Sequence, residues 1–267
     1  MPSPRLTELP DTVVRLIEKM GGAVVDVRTV DAGLNSAIAA RVRTTDRTLF
    51  LKGLPLDHPR VWTQKREAQI NPCVQGIAPQ LLWHVEENGW SLLAFEFVEG
   101  RHADFTPGSP DAPTVMTAMI QLADVSTPGV ELKSMPHRLR SFVDDPTDLC
   151  WFVGNSLLHT EWNPHNVLMT PSGALFVDWG WASLGAAWID PALWLLWLIA
   201  HGHTPGQAES AAAAHPAWKL APPAGLDALS RVQRRLWDSI ARDSKDDWAK
   251  PMQSAARAWV RHRNAPA

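Results

Sequence analysis

Apolar and polar positions divide the chain into two regimes. Over residues 8–20, Val13, Val14, Leu16, Ile17 and Met20 recur at helical spacing and stop at Gly21 and Gly22, which predicts a short helix with a glycine stop. Three strand-like runs follow at 23–30, 37–43 and 48–54, separated by the turn-rich stretch 31–36 and the turn 44–47. Residues 58–71 read as a helix, with Pro59 near its first position and Pro72 just past its end. Runs at 81–86 and 91–98 flank Glu87, Asn88 and Gly89, an Asn-Gly hairpin signal. The first hundred residues thus read mainly as antiparallel sheet with an inserted helix.

After Gly100 the helical period takes over. Helices are expected at 113–125, 136–150, 190–201, 207–214, 225–242 and 247–262, with short strands at 166–169 and 175–177. A loop containing Pro, Gly and Ser at 106–112 follows Gly100, so the chain divides into a lobe of residues 1–100 and a lobe of residues 101–267. The fold class is α+β. The most apolar stretch, 186–200, is interrupted by Asp190 and Pro191 and is too short to span a bilayer, so it is read as a buried helix.

Composition narrows the functional classes. A formal net charge of −3 over 267 residues leaves no basic footprint for nucleic acid. Only Cys73 and Cys150 are present, too few for a disulfide framework or a Cys-rich zinc site, and this fits a reducing cytoplasm. The first twenty residues lack the basic and apolar regions of a signal peptide, so no membrane association is expected. The aromatic balance is unusual: 14 Trp, 7 Phe and no Tyr, residues that suit cores and ligand-lined clefts equally.

The candidate chemistry sits in His159-Thr160-Glu161-Trp162-Asn163-Pro164-His165-Asn166 and, twelve residues after Asn166, in Asp178-Trp179-Gly180. Phosphoryl transfer needs a carboxylate to orient the attacking hydroxyl, oxygen ligands for Mg²⁺, and a cation on the phosphates. A loop that supplies a carboxylate and then Asn, followed by a short hairpin that ends in Asp, provides such groups. A zinc reading fails: the helical His-Glu-x-x-His spacing is absent. The deaminase pattern begins His-x-Glu but needs later cysteines, and none follows position 150.

This segment resembles the His-Gly-Asp-x-x-x-x-Asn catalytic loop of aminoglycoside phosphotransferases and choline kinase-like small-molecule kinases. Val177-Asp178-Trp179-Gly180 resembles their metal motif, and the stretch with Gly185 and Asp190-Pro191 resembles the segment that follows it. The resemblance implies a two-lobed, protein-kinase-like fold with a nucleotide-binding N-terminal lobe and a catalytic, acceptor-binding C-terminal lobe. It implies ATP as co-substrate and Mg²⁺ as cofactor. Glu161 takes the catalytic position, and Asn166 and Asp178 take the metal positions. Lys52 would hold phosphates and Glu67 would orient it. Gly33, Asn35 and Ser36 fall where a phosphate-covering loop belongs, and Glu96 and Val98 fall at the hinge where backbone groups meet adenine. His159 and Asp190 would hold the catalytic loop.

Two departures stand out. Thr160 replaces Gly, and Glu161 replaces Asp. The added methylene moves the carboxylate by about 1.5 Å on a fixed backbone, where about 1 Å of misplacement can cost on the order of 100-fold. The reading is therefore an ATP- and Mg-dependent phosphotransferase acting on a hydroxyl of a small molecule, with an antibiotic or sugar-bearing natural product as the acceptor class. The alternative is a nucleotide-binding pseudokinase with little or no turnover. Candidate acceptor liners are Trp181, Trp188, Asp238, Asp243, Asp246, Asp247 and Trp248, whose carboxylates would suit a cationic acceptor or simply form a solvated helix end.

Overall fold

The computed structural model describes residues 9–30, 36–127, 129–244 and 247–265. They form two compact units: Met1–Arg101 with Leu175–Trp181, and His102–Ala174 with Ala182–Ala267. A single cut near Gly100 therefore misses one segment, because 175–181 packs with the first unit.

In the first unit, α1 (Asp11–Gly21) precedes a five-stranded sheet of β1 (Val24–Thr29), β2 (Ile38–Thr44), β3 (Thr48–Pro55), β4 (Leu81–Glu87) and β5 (Trp90–Glu96). The strand order is β1-β2-β3-β5-β4, and all the pairs are antiparallel. The amphipathic pattern of α1 buries Val13, Leu16 and Ile17 against Val42, Leu49, Leu51, Leu92 and Ala94. Side chains alternate along a strand. With Leu49 and Leu51 on the core face, Phe50 and Lys52 belong to the opposite one, where β3 pairs Lys52 with Ala39 of β2 and Leu93 of β5.

The following helix, α2 (Trp62–Ile70), is shorter than expected. Residues 58–61 form successive tight turns, with His58 N–H donating to Pro55, Val61 N–H to His58 and Thr63 N–H to Arg60. Pro59 disfavours helical backbone at His58, which postpones the helix start. The buried face of α2 is polar: Thr63, Gln64 and Glu67 lie inside with Ile70. A helix that turns carboxylate and amide groups inward must meet partners there.

The chain enters the second unit through the two-residue strand β6 (Arg101–His102) and α3 (Asp111–Ala123). The helix expected at 136–150 is instead α4 (Met135–Leu139) followed by a 3-10 segment, Pro146–Phe152. Pro146 removes a backbone donor, and Asp145 caps the new turn by accepting from Thr147 N–H at 2.8 Å. Next come β7 (Ser156–Leu158), β8 (Val167–Thr170) and β9 (Gly173–Phe176), the last carrying the chain back into the first unit. β10 (Ser183–Gly185) pairs antiparallel with β7, Ser183 opposite Leu158. Then follow α5 (Ile189–Ala200), α6 (Pro205–Ala212), α7 (Pro223–Asp243) and α8 (Lys250–Arg263). The apolar stretch is α5, buried from Ile189 to Leu196 and at Leu198. The last helix starts at Lys250 rather than 247, because Pro251 fits only a first turn and Asp247–Ala249 winds as 3-10.

Cys73 and Cys150 are both free and exposed. No helix among the described residues is long and apolar enough to cross a membrane.

Ile17 is fully buried beneath the sheet, whereas Met20 on the same helix is exposed. Ile17→Ala should lower the unfolding free energy by about 2–5 kcal/mol, and Met20→Ala should change it by less than about 0.5 kcal/mol. Urea titration followed by tryptophan fluorescence measures both.

Candidate active site

The partner that α2 turns inward to meet is Lys52. Its Nζ lies 2.7 Å from Glu67 Oε2 and 3.0 Å from Asp178 Oδ1. The Lys52 side chain is 13% exposed, that of Glu67 4% and that of Asp178 24%. The second Glu67 oxygen, Oε1, accepts from Trp179 N–H at 3.3 Å, so one carboxylate joins the β3 lysine to the turn after β9. Trp179 Nε1–H donates to the Phe176 carbonyl at 2.9 Å and closes that turn. Asp178 stands in the left-handed region (φ 67°), a conformation that Asp tolerates better than most residues. Gly180 explains the glycine of the motif sterically. A Cβ there would come within 2.8 Å of Thr63 Cβ, so only glycine lets α2 approach closely enough for Glu67 to reach Lys52.

Burial would push the Lys52 ammonium down, but the Asp178 and Glu67 carboxylates outweigh it and hold the pKa above the ordinary lysine value. Glu67 is pushed up by burial and by the neighbouring Asp178 charge, with Lys52 and the Trp179 N–H pulling it back. The lysine thus stays charged beside two carboxyl groups.

The second cluster lies in the other unit. Asp190, at the start of α5 and 3% exposed, gathers the loop after β7. Oδ2 accepts from His159 N–H at 2.8 Å, and Oδ1 accepts from Thr160 N–H at 3.0 Å and Trp162 Nε1–H at 2.9 Å. Fully buried His159 turns its Nδ1 to the Glu161 N–H at 3.3 Å. Asn166 donates from Nδ2 to the Glu161 carbonyl at 3.0 Å, which leaves Oδ1 as its ligand-competent atom. The Glu161 carboxylate is 35% exposed, with Arg138 Nη2 at 4.0 Å. Thr160 has φ 68°, where a β-branched residue is a genuine outlier.

Among the sequence candidates, the structure brings Lys52, Glu67 and Asp178 together in the first unit, and Glu161 and Asn166 together in the second. Gly33 and Asn35 lie outside the described residues; Ser36 borders β2. Glu96, expected at a hinge, is committed to Gln80: its N–H donates to the Gln80 carbonyl and its Oε1 accepts from Gln80 N–H. Val98 lies beyond the end of β5. The acceptor candidates scatter. Trp181 packs edge-on against Trp62 at 5.1 Å, and Trp188 is buried against Phe152. Asp238 is paired with Arg257 at 2.7 Å, and Asp247 with Lys250 at 2.7 Å. Asp246 lies outside the described residues. Asp238 is thus paired from α7 to α8, and Asp247 from the 3-10 turn to the first residue of α8. Arg138 belongs to no motif and was missed; only its spatial neighbours reveal it.

No known family profile and no curated protein matches the sequence. Solved structures do match. The choline kinase LicA from Streptococcus pneumoniae superimposes with a TM-score of 0.63 at 11% identity, covering 94% of this chain and 98% of that one. Aminoglycoside phosphotransferase APH(4)-Ia gives 0.62 at 16% identity, covering 96% and 99%. A thermostable mutant of that phosphotransferase, in ternary complex with AMP-PNP and hygromycin B, gives 0.63 at 16% identity, covering 97% and 100%. The chain has the kinase-like α+β fold of these proteins over nearly its whole length.

Burial pushes the Asp190 carboxyl up to about 6, against the pull of its three hydrogen bonds and of Arg138. A raised folded-state pKa means that the folded protein holds a proton which the unfolded chain has released, so stability falls as pH rises through this window. The difference in unfolding free energy between wild type and Asp190→Asn should fall by about 3 kcal/mol from about pH 3 to 7. Chemical denaturation at stepped pH reads this directly.

Proposed function

We propose that this protein is a Mg·ATP-dependent phosphotransferase that moves the γ-phosphoryl group onto a hydroxyl of a small molecule. The observation that carries the reading is Lys52, part-buried, charged and held 2.7 Å from Glu67 and 3.0 Å from Asp178. A buried ion pair is a poor means of gaining stability, and a lysine presented between two carboxylates suits phosphate binding. AMP-PNP in the neighbouring phosphotransferase complex supports a nucleotide here.

In this reading the first unit binds nucleotide, with Lys52 on the phosphates, Glu67 orienting it, Ser36 in the covering segment with Gly33 and Asn35, and Glu96 and Val98 at the adenine edge. The second unit supplies Glu161 and the acceptor site. Asp178 in the first unit and Asn166 in the second would each offer Mg²⁺ an oxygen donor, a carboxylate and an amide, the hard ligands this ion prefers. The ion, when bound, offsets phosphate charge. Glu161 orients the acceptor hydroxyl and takes its proton as the acceptor oxygen bonds to the γ-phosphorus and the bond to the bridging oxygen of ADP breaks. Within the hydroxylated acceptors, antibiotics and sugar-bearing natural products are the first to test, together with choline, because choline kinase shares the fold. A cationic acceptor gains no support from the α7–α8 carboxylates, given the pairing of Asp238 and Asp247.

A second reading, a nucleotide-binding pseudokinase, draws on Glu161, a longer side chain in the catalytic position with Arg138 beside it.

ADP release should be measured with Mg·ATP across a panel of hydroxylated acceptors, beside a nucleotide titration. Turnover with one acceptor, lowered at least about 100-fold by Asp178→Ala or Lys52→Ala, is expected from the removal of groups that stabilise the transferring phosphoryl. Nucleotide binding without turnover, and a large gain on Glu161→Asp, would instead establish the pseudokinase.

A further inference from the structure

Arg138 is a charged residue beside the Glu161 loop that the proposed mechanism does not use. It sits in α4, and α4 is anchored to the strand beside the loop: Ser134, its N-cap, pairs with Leu184 of β10, and Leu184 N–H donates to the Lys133 carbonyl at 3.1 Å. From this platform Nη1 donates to Ser183 Oγ at 2.9 Å and to Thr160 Oγ1 at 2.7 Å, while Nη2 stands 4.0 Å from Glu161 Oε1. The side chain is 20% exposed and its planar fork is fixed at one tip, so the other tip has a defined place.

Thr160 makes sense in this setting. Its left-handed backbone is costly for a β-branched residue and free for glycine. Such a conformation persists only where its surroundings over-determine it. Here Asp190 holds the Thr160 N–H and Arg138 holds its hydroxyl. A glycine would relieve the backbone but offer nothing to anchor the guanidinium. The two departures at 160 and 161 are thus linked through a third residue.

We propose that Arg138 is a positioning residue which, fixed by Thr160 and Ser183, holds the longer Glu161 carboxylate in the place where a shorter Asp side chain would need no such hold. This rests on the phosphotransferase reading. It makes Thr160, Glu161 and Arg138 one coupled set rather than two independent deviations.

A double-mutant cycle between positions 138 and 161 tests it, read as kcat and KM for ADP release with the acceptor found, or with water where none is found. Arg138→Gln should lower kcat about 10- to 100-fold, the range expected for a carboxylate displaced by up to about 1 Å, with the KM for ATP moving less than about 3-fold. In the Glu161→Asp background, where the carboxylate is withdrawn from Arg138, the same change should cost less than about 3-fold. Arg138→Lys keeps a charge but has no fork, so it should show the same loss of coupling; it carries the cycle if Arg138→Gln does not fold. Equal losses in both backgrounds would overturn the proposal and leave Arg138 a support of the fold. Lys52→Ala and Asp178→Ala are run alongside. If they abolish turnover while the cycle is additive, the positioning role falls alone. If they leave turnover intact, or no variant or wild type releases ADP, the phosphotransferase reading falls and the positioning role with it.

Discussion

Taking an ammonium out of water is tolerated only when anions replace the water, and in the first unit that constraint organises everything around Lys52. β3 aims the lysine away from the α1 core, α2 must bring Glu67 to it, and the turn after β9 must bring Asp178. Each of these needs its own local permission: the polar inner face of α2, the left-handed Asp178, and the missing side chain at Gly180. Removing one carboxylate would leave a buried charge partly uncompensated, a far larger penalty than a surface pair would incur. The lysine is thus a structural demand before it is a functional group, and both roles call for the same neighbours.

The sheet, its order of runs and the Asn-Gly hairpin were legible because their determinants are local: period-two alternation, and a turn whose Asn88 has φ 53° and Gly89 φ 82°. The errors at 58–61 and 140–150 have one cause. Each lies beside a proline, Pro59 after His58 and Pro146 after Asp145, which disfavours helical backbone in the residue before it. The motif residues could be picked out because chain order places them within short loops. Arg138 could not, since its partners lie 22 and 45 residues away and carry no pattern that points back to it. The acidic residues of α7 and α8 read as a patch for the opposite reason: composition shows Asp238, but not the Arg257 that folding lays against it.

Besides Asn88 in its hairpin turn, two further non-glycine residues among those described stand in left-handed backbone, Asp178 in one unit and Thr160 in the other. In each, backbone N–H groups next to the bend are held by a buried carboxylate, Glu67 through Trp179 and Asp190 through His159 and Thr160. Buried carboxylates here serve as templates for backbone that would otherwise relax. The same residues set where Asp178 and Glu161 stand, so the strained backbone and its template are one local unit in each loop.

The return of Leu175–Trp181 to the first unit has a consequence for how the protein is made. That unit begins at the N-terminus and its continuous part ends at Arg101, yet its lysine lacks the Asp178 counter-charge until a segment about eighty residues later has been synthesised. At roughly 5–20 residues per second, that leaves an interval of about 4–16 s in which sheet and α2 can form on the ribosome around an incompletely matched cation. The nascent unit would hold its core early and its charge balance late.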